Sequence, residues 1–169
     1  MRGMTRRLGI AAAAAVLAAS TVATAAWGDS ATTVQVFPAG VACADFDLQV
    51  EGSGGTIKQH AFTDRSGQVV RVVLAGTGPA LALTNLTSPA TTYATPSNGS
   101  VTHIAVNPDG TLTYRMTGHN ILILYPTDVP AGPSTTLYVG QVGFTVDANA
   151  VFTVTSVAGR SVDICAALS

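Results

Sequence analysis

This chain carries little charge. Lys, Arg, Asp and Glu make up 10% of its 169 residues, and eight basic against nine acidic side chains leave a net charge of −1. Three of the arginines, Arg2, Arg6 and Arg7, stand at the extreme N-terminus. Beyond them only Lys58, Arg65, Arg71, Arg115 and Arg160 oppose the nine acids, a balance of −4. Nucleic acids and anionic membrane surfaces are recognised by clustered Lys and Arg, so neither is expected as a partner. Thr, Ser, Asn and Gly must supply the surface polarity instead.

Cysteine is scarcer still. Cys43 and Cys165 are the only two, and neither has a nearby Cys or His with which to hold zinc. No metal and no cofactor is expected. Long apolar runs are missing too. The one candidate, "LGIAAAAAVLAAS" (Leu8–Ser20), falls short of the roughly 20 residues a membrane span needs. It follows the basic "MRGMTRR" and precedes "TVATAAWG", with small residues at Ala23 and Ala25. A basic start, a short apolar segment and an A-x-A-like end describe a secretory signal peptide, with cleavage expected after Ala25 or Ala26. The first cysteine comes too late for a lipoprotein anchor. The expected destination is extracellular, either free or held at the cell envelope, with no integral membrane segment after cleavage. In that oxidising setting the lone pair of cysteines is expected to form a disulfide.

A helical period is also lacking. From Cys43 onward the chain instead alternates with period two, most clearly in "ADFDLQVEG", where Phe46, Leu48 and Val50 point one way and Asp45, Asp47, Gln49 and Glu51 the other. Further short segments rich in Val, Ile, Thr, Tyr and Phe follow. Turn signals divide them: "GSGG" at 52–55, "DRSGQ" at 64–68, "GTGP" at 76–79, "SNGS" at 97–100 and "NPDGT" at 107–111. This pattern predicts an all-β antiparallel meander. Hairpin-length connections favour a closed barrel of about eight strands, with a β-sandwich as the alternative. The expected organisation is a signal peptide over 1–26, an extended N-terminal arm over 27–42 with one short strand near Val34–Phe37, and a single β domain over 43–169.

Catalytic motifs are absent as well: no G-x-S-x-G elbow, P-loop, EF-hand loop or G-x-G-x-x-G follows a strand. Asp45, Asp47 and Glu51 share a strand face and read as a solvated surface rather than a paired-carboxylate site. Three histidines remain as acid–base candidates. His60 alternates with Lys58 on a solvent-facing strand. His103 lies opposite Thr102 and Ile104 in "SVTHIAVN". His119 and Asn120 open the apolar segment "NILILYP", which is expected to be buried on both faces and to place them at a barrel rim. The loop "YPTDVPAGPSTT" after Tyr125 is stiffened by three prolines and is long enough to act as a flap. His119, Asn120, His103 and Tyr125 are therefore the candidate ligand-binding residues. A non-enzymatic secreted module that binds a small or apolar ligand, or a partner protein, is the leading expectation. A small secreted isomerase or hydrolase using His119 or His103 as acid or base is the alternative.

Across "CADFDLQVEGSGG", "TDRSGQVVRVVLAGTG", "NPDGTLTYRMTGHNILILYPTDVPAGPSTTLYVGQ" and the terminal "DICAALS", the chain resembles small secreted proteins of actinobacteria. The resemblance spans nearly the whole domain. It implies export and one compact domain, and it carries over no catalytic residue.

Overall fold

The computed structural model describes residues 32–87 and 91–169; the segment expected to be a signal peptide lies outside the described residues. The elements run β1 (Thr33–Phe37), β2 (Leu48–Ser53), β3 (Thr56–Thr63), β4 (Val69–Thr77), β5 (Ala80–Asn85), β6 (Thr92–Thr95), β7 (Gly99–Val106), β8 (Leu112–Leu124), β9 (Ser134–Val146), β10 (Phe152–Asp163) and a final helical turn, α1 (Ile164–Ala167). All strand pairings are antiparallel. They build a four-stranded sheet in the order β1-β2-β5-β6 and a six-stranded sheet in the order β10-β9-β8-β7-β4-β3. β1, in the segment expected as an N-terminal arm, pairs with β2 along its length and buries Phe37.

The chain is therefore all-β, but the expected closed barrel does not form. Among the described residues each sheet is open, ending in two edge strands, and the sandwich alternative fits the two layers. The barrel was expected because the connections are short, on the premise that a change of sheet needs a long crossover. Here the chain changes sheet at three tight corners instead: Gly54–Gly55 after β2, Gly78–Pro79 after β4, and Pro96–Asn98 after β6. The corners brace one another. Gly78 N donates to Asn98 O at 2.9 Å, and Ser97 Oγ donates to Gly78 O. A Cβ on Gly55 would stand 2.8 Å from Pro79 N, so only glycine permits that close approach.

Two apolar clusters hold the layers. The first joins Phe37, Leu48, Val50 and Leu83 of the smaller sheet to Leu137, Ile121, Ile123 and Val162 of the larger one, with Phe46, Ile164 and Leu168 closing one end. The second lies within the larger sheet, around Ile104, Tyr114, Val142 and Phe144. There Tyr114 and Phe144 stack at 4.7 Å, and Phe144 meets Phe152 at 5.4 Å. The predicted disulfide is present, joining Cys43 before β2 to Cys165 in α1 across 122 residues. Around it, Thr135 Oγ1 donates to Ala42 O at 2.9 Å, and Asn85 Nδ2 and Thr91 Oγ1 both donate to Leu168 O. The C-terminus is thereby tied to both sheets.

One further difference from the sequence reading concerns Gly118. "TLTYRMTG" and "NILILYP" read as separate strands, yet they form the single thirteen-residue strand β8. The strand continues through Gly118 with a left-handed φ of +101°. It pairs with Gly140, which pairs in turn with Gly159, and on its other side with Ser100, which pairs with Gly76. All four glycines have positive φ, so one left-handed row crosses the sheet. A Cβ at Gly118 would overlap the Gly99 carbonyl, and one at Gly140 the Ala158 carbonyl.

Candidate ligand-binding cleft

The crease made by that row lies where the sheets begin to part, next to the three corners. The space left there is a cavity of about 150 Å³. The smaller sheet contributes Leu81 and Thr95, the corners Pro79, Pro96 and Asn98, and the larger sheet mainly Ile57, Leu74, Ser100 and Thr102 with residues of β8 and β9. Along β8 the lining residues are Tyr114 and Met116 before Gly118, then His119, Asn120 and Ile121 after it. A regular strand would send alternate residues to opposite faces. Around the glycine that alternation does not hold, and the consecutive residues His119, Asn120 and Ile121 all border the space that Tyr114 and Met116 reach from before it. In β9, Leu137 before Gly140 and Phe144 after it border the same space.

Most of the lining is aliphatic or aromatic, and no Asp, Glu, Lys or Arg belongs to it. Its polar residues are Thr95, Asn98, Ser100, Thr102, His119 and Asn120. Asn120 is only 7% exposed, and Ser100 Oγ donates to its Oδ1 at 3.0 Å. Its Nδ2 and the Nδ1 of neighbouring His119 are buried and hydrogen-bond to no described group. Withholding a partner from a buried polar group costs about 1–3 kcal/mol, so two such atoms on consecutive residues that border a cavity are a feature that ordinary packing would remove. Burial also pushes the Tyr114 phenol above its ordinary value of 10.0, so that side of the cavity is neutral.

The four candidate residues thus separate. His119 and Asn120 come together in the cavity, though in mid-strand rather than at a rim. His103 lies on the opposite, exposed face of the larger sheet, paired with Arg115. Tyr125 lies past the far end of β8, outside the lining. The loop that follows it is no flap over the cavity. Val129 N donates to Phe152 O at 2.8 Å, and Val154 N to Val129 O at 2.7 Å. The carboxylate of Asp128, 3% exposed, accepts from Tyr125 N at 2.6 Å and Phe152 N at 3.0 Å. The loop is stitched to β10. Asp45, Asp47 and Glu51 do not meet as a metal site, and among the described residues no group of three or more His, Cys, Asp or Glu could hold an ion. Missed as lining residues were Thr102 and Met116, which carry no local signal, and Ser100 and the corner residues, which read only as turns. No described helix is long and apolar enough to cross a membrane.

Comparison with protein-family models, with curated proteins and with solved structures returns no match.

Proposed function

We propose that this chain is a secreted β-sandwich module that holds a small neutral ligand between its sheets, gripped by Asn120 and His119. The observation that carries the reading is the pair of buried polar atoms, Asn120 Nδ2 and His119 Nδ1, on residues bordering a mostly apolar cavity. An unpartnered amide N–H on a residue bordering such a space favours a carbonyl or ether oxygen, and the absence of charged side chains in the lining disfavours an ion. Size narrows the choice. Pockets for drug-sized ligands run to roughly 300–1,000 Å³, whereas about 150 Å³ accommodates a molecule near the size of benzene. The ligand is therefore a compact ring or short chain with one acceptor, or the tip of a longer molecule.

The hydrolase or isomerase alternative has less support. A histidine base is oriented by a third group, commonly a carboxylate, and none lines the cavity. The secretory part of the proposal rests on residues 1–26 acting as a signal peptide and on the Cys43–Cys165 bridge, which suits an oxidising compartment. The resemblance to secreted actinobacterial proteins points the same way. N-terminal sequencing of exported protein should begin at Ala26 or Trp27.

Titration of the ¹⁵N-labelled chain with cyclohexanone tests the cleft. The expected result is a saturable shift of the Asn120 side-chain amide signals, with affinity falling at least tenfold in Asn120→Leu, since leaving a polar ligand group unpaired costs about 1–3 kcal/mol. An Asn120 signal that never moves, or equal affinity in the variant, would overturn the reading.

A further inference from the structure

Strands β3, β4, β7, β8 and β9 contain no Asp or Glu, yet they carry three of the five basic residues that follow Arg7. Directly paired residues of an antiparallel sheet share a face. The register His60↔Val73, Val73↔His103 and His103↔Arg115 therefore sets two histidines and an arginine in one row across four strands. Lys58, paired with Ala75, stands in the next row on one side. Arg71, paired with Phe62 and Ala105, stands in the next row on the other. All five of these side chains are exposed, while Thr102 and Ile104, flanking His103, are buried on the opposite face. The nearest acids are gathered in hairpin turns at one end of the sheet. There Asp64 accepts from Ser66 and Gln68, Asp109 from Thr111, and Asp147 from Asn149 and Val151. Over β3, β4, β7, β8 and β9, a chain with a surplus of acid thus presents a face whose fixed charges are all positive; the sheet's one strand acid, Asp163, stands at the end of β10, where it caps α1.

We propose that this outer face of the six-stranded sheet binds an extended, carboxylate-bearing polysaccharide. Strand spacing of about 4.8 Å and a rise of about 3.4 Å per residue put Lys58, Arg71 and Arg115 at the corners of a triangle with sides of roughly 12–16 Å. One small anion cannot bridge two corners, whereas a polymer with charges at regular intervals can reach all three. The face suits a sugar polymer better than a nucleic acid. Its aromatic ring, Phe62, lies 4.0 Å beneath the Arg71 guanidinium with His60 edge-on at 4.6 Å, so it is not open for stacking a base, the contact on which single-strand binders rely. A flat sheet does not enter a duplex groove either. Thr113, Thr117 and Gln141 occupy the same rows and add uncharged polarity, with Gln141 Oε1 accepting from Arg115 Nε at 2.9 Å, Thr113 Oγ1 accepting from Asn107 Nδ2 and Thr117 Oγ1 donating to Val101 O.

Calorimetric titration of the purified chain with polygalacturonate provides the test, with neutral dextran and single-stranded DNA in parallel. Binding to polygalacturonate is expected to weaken roughly tenfold between about 50 and 200 mM salt, as release of a few counterions requires. It should fall at least tenfold in Lys58→Gln/Arg115→Gln and stay unchanged in Arg65→Gln/Arg160→Gln, which alters the same net charge off the face. All variants should keep the parent melting temperature. No binding at low salt, equal binding of dextran, equal losses in the two double variants, or tighter binding of DNA would each overturn the proposal.

Discussion

Asp64 illustrates how a single side chain organises its surroundings. Its carboxylate takes hydrogen bonds from Ser66 Oγ at 2.6 Å, Ser66 N at 2.8 Å and Gln68 N at 3.0 Å. The Ser66 hydroxyl above all, then the Gln68 amide, holds its pKa below the usual 3.8. A depressed folded-state value means that the turn's order is complete above about pH 4, the unfolded value, and is lost as pH falls through the lower folded value. In an acid titration followed by NMR, the Ser66 and Gln68 amide signals should move with a midpoint under 3.8, and Ser66→Ala should raise it. A midpoint at or above 3.8 in the parent chain would contradict this. Asp64 was legible in the sequence because "DRSGQ" is a local pattern. His119 and Asn120 were legible only as a polar pair beside a glycine and an apolar run. What makes them candidates, their shared buried wall with Ser100 on β7, depends on contacts twenty residues away along the chain, and no local pattern encodes those.

At the scale of elements, three hairpins repeat one turn. Gly67 N donates to Asp64 O and Asp64 N to Gln68 O; Gly110 and Thr111 do the same with Asn107, and Ala150 and Val151 with Asp147. The fourth residue has positive φ in each case: 85° at Gly67, 83° at Gly110 and 59° at Ala150. An alanine there bears a left-handed penalty of about 1–2 kcal/mol, partly offset by glycine's larger loss of backbone freedom on folding. Ala150→Gly should therefore stabilise the chain by about 0.5–1 kcal/mol, read as a higher denaturation midpoint at unchanged slope. An unchanged or lower midpoint would refute it. The first two turns announced themselves by their glycines, and the third went unread because "DANAV" lacks one. The glycine row Gly76–Gly118–Gly140–Gly159 was invisible for a different reason. Each glycine alone looks like a turn or strand break, and only the register that aligns them turns four isolated signals into one crease.

For the molecule as a whole, an all-β chain with a terminal disulfide could be read from alternation, turn residues and two cysteines. How its layers meet could not, because corners of two or three residues look the same whether the next strand joins the same sheet or the opposite one. The disulfide acquires its importance from that layering. Cys43 precedes the smaller sheet's β2, and Cys165 follows β10 of the larger sheet, so the bridge closes nearly the whole domain and pins the two layers at the end opposite the corners. Chain entropy for a loop of this length gives roughly 4–5 kcal/mol as an upper figure. For a domain near 140 residues each kcal/mol shifts the melting temperature by about 2–4 °C, so Cys43→Ser/Cys165→Ser should melt below the parent, by up to about 8–20 °C. The loss should begin where the bridge acts. Amide exchange should accelerate first in α1 and around Ala42, whose carbonyl accepts from Thr135 Oγ1, while the β7–β8–β9 centre stays protected to higher temperature. Uniform loss of protection across both sheets would mean that the bridge stabilises the molecule globally rather than clamping one end, and an unchanged melting temperature would deny it either role.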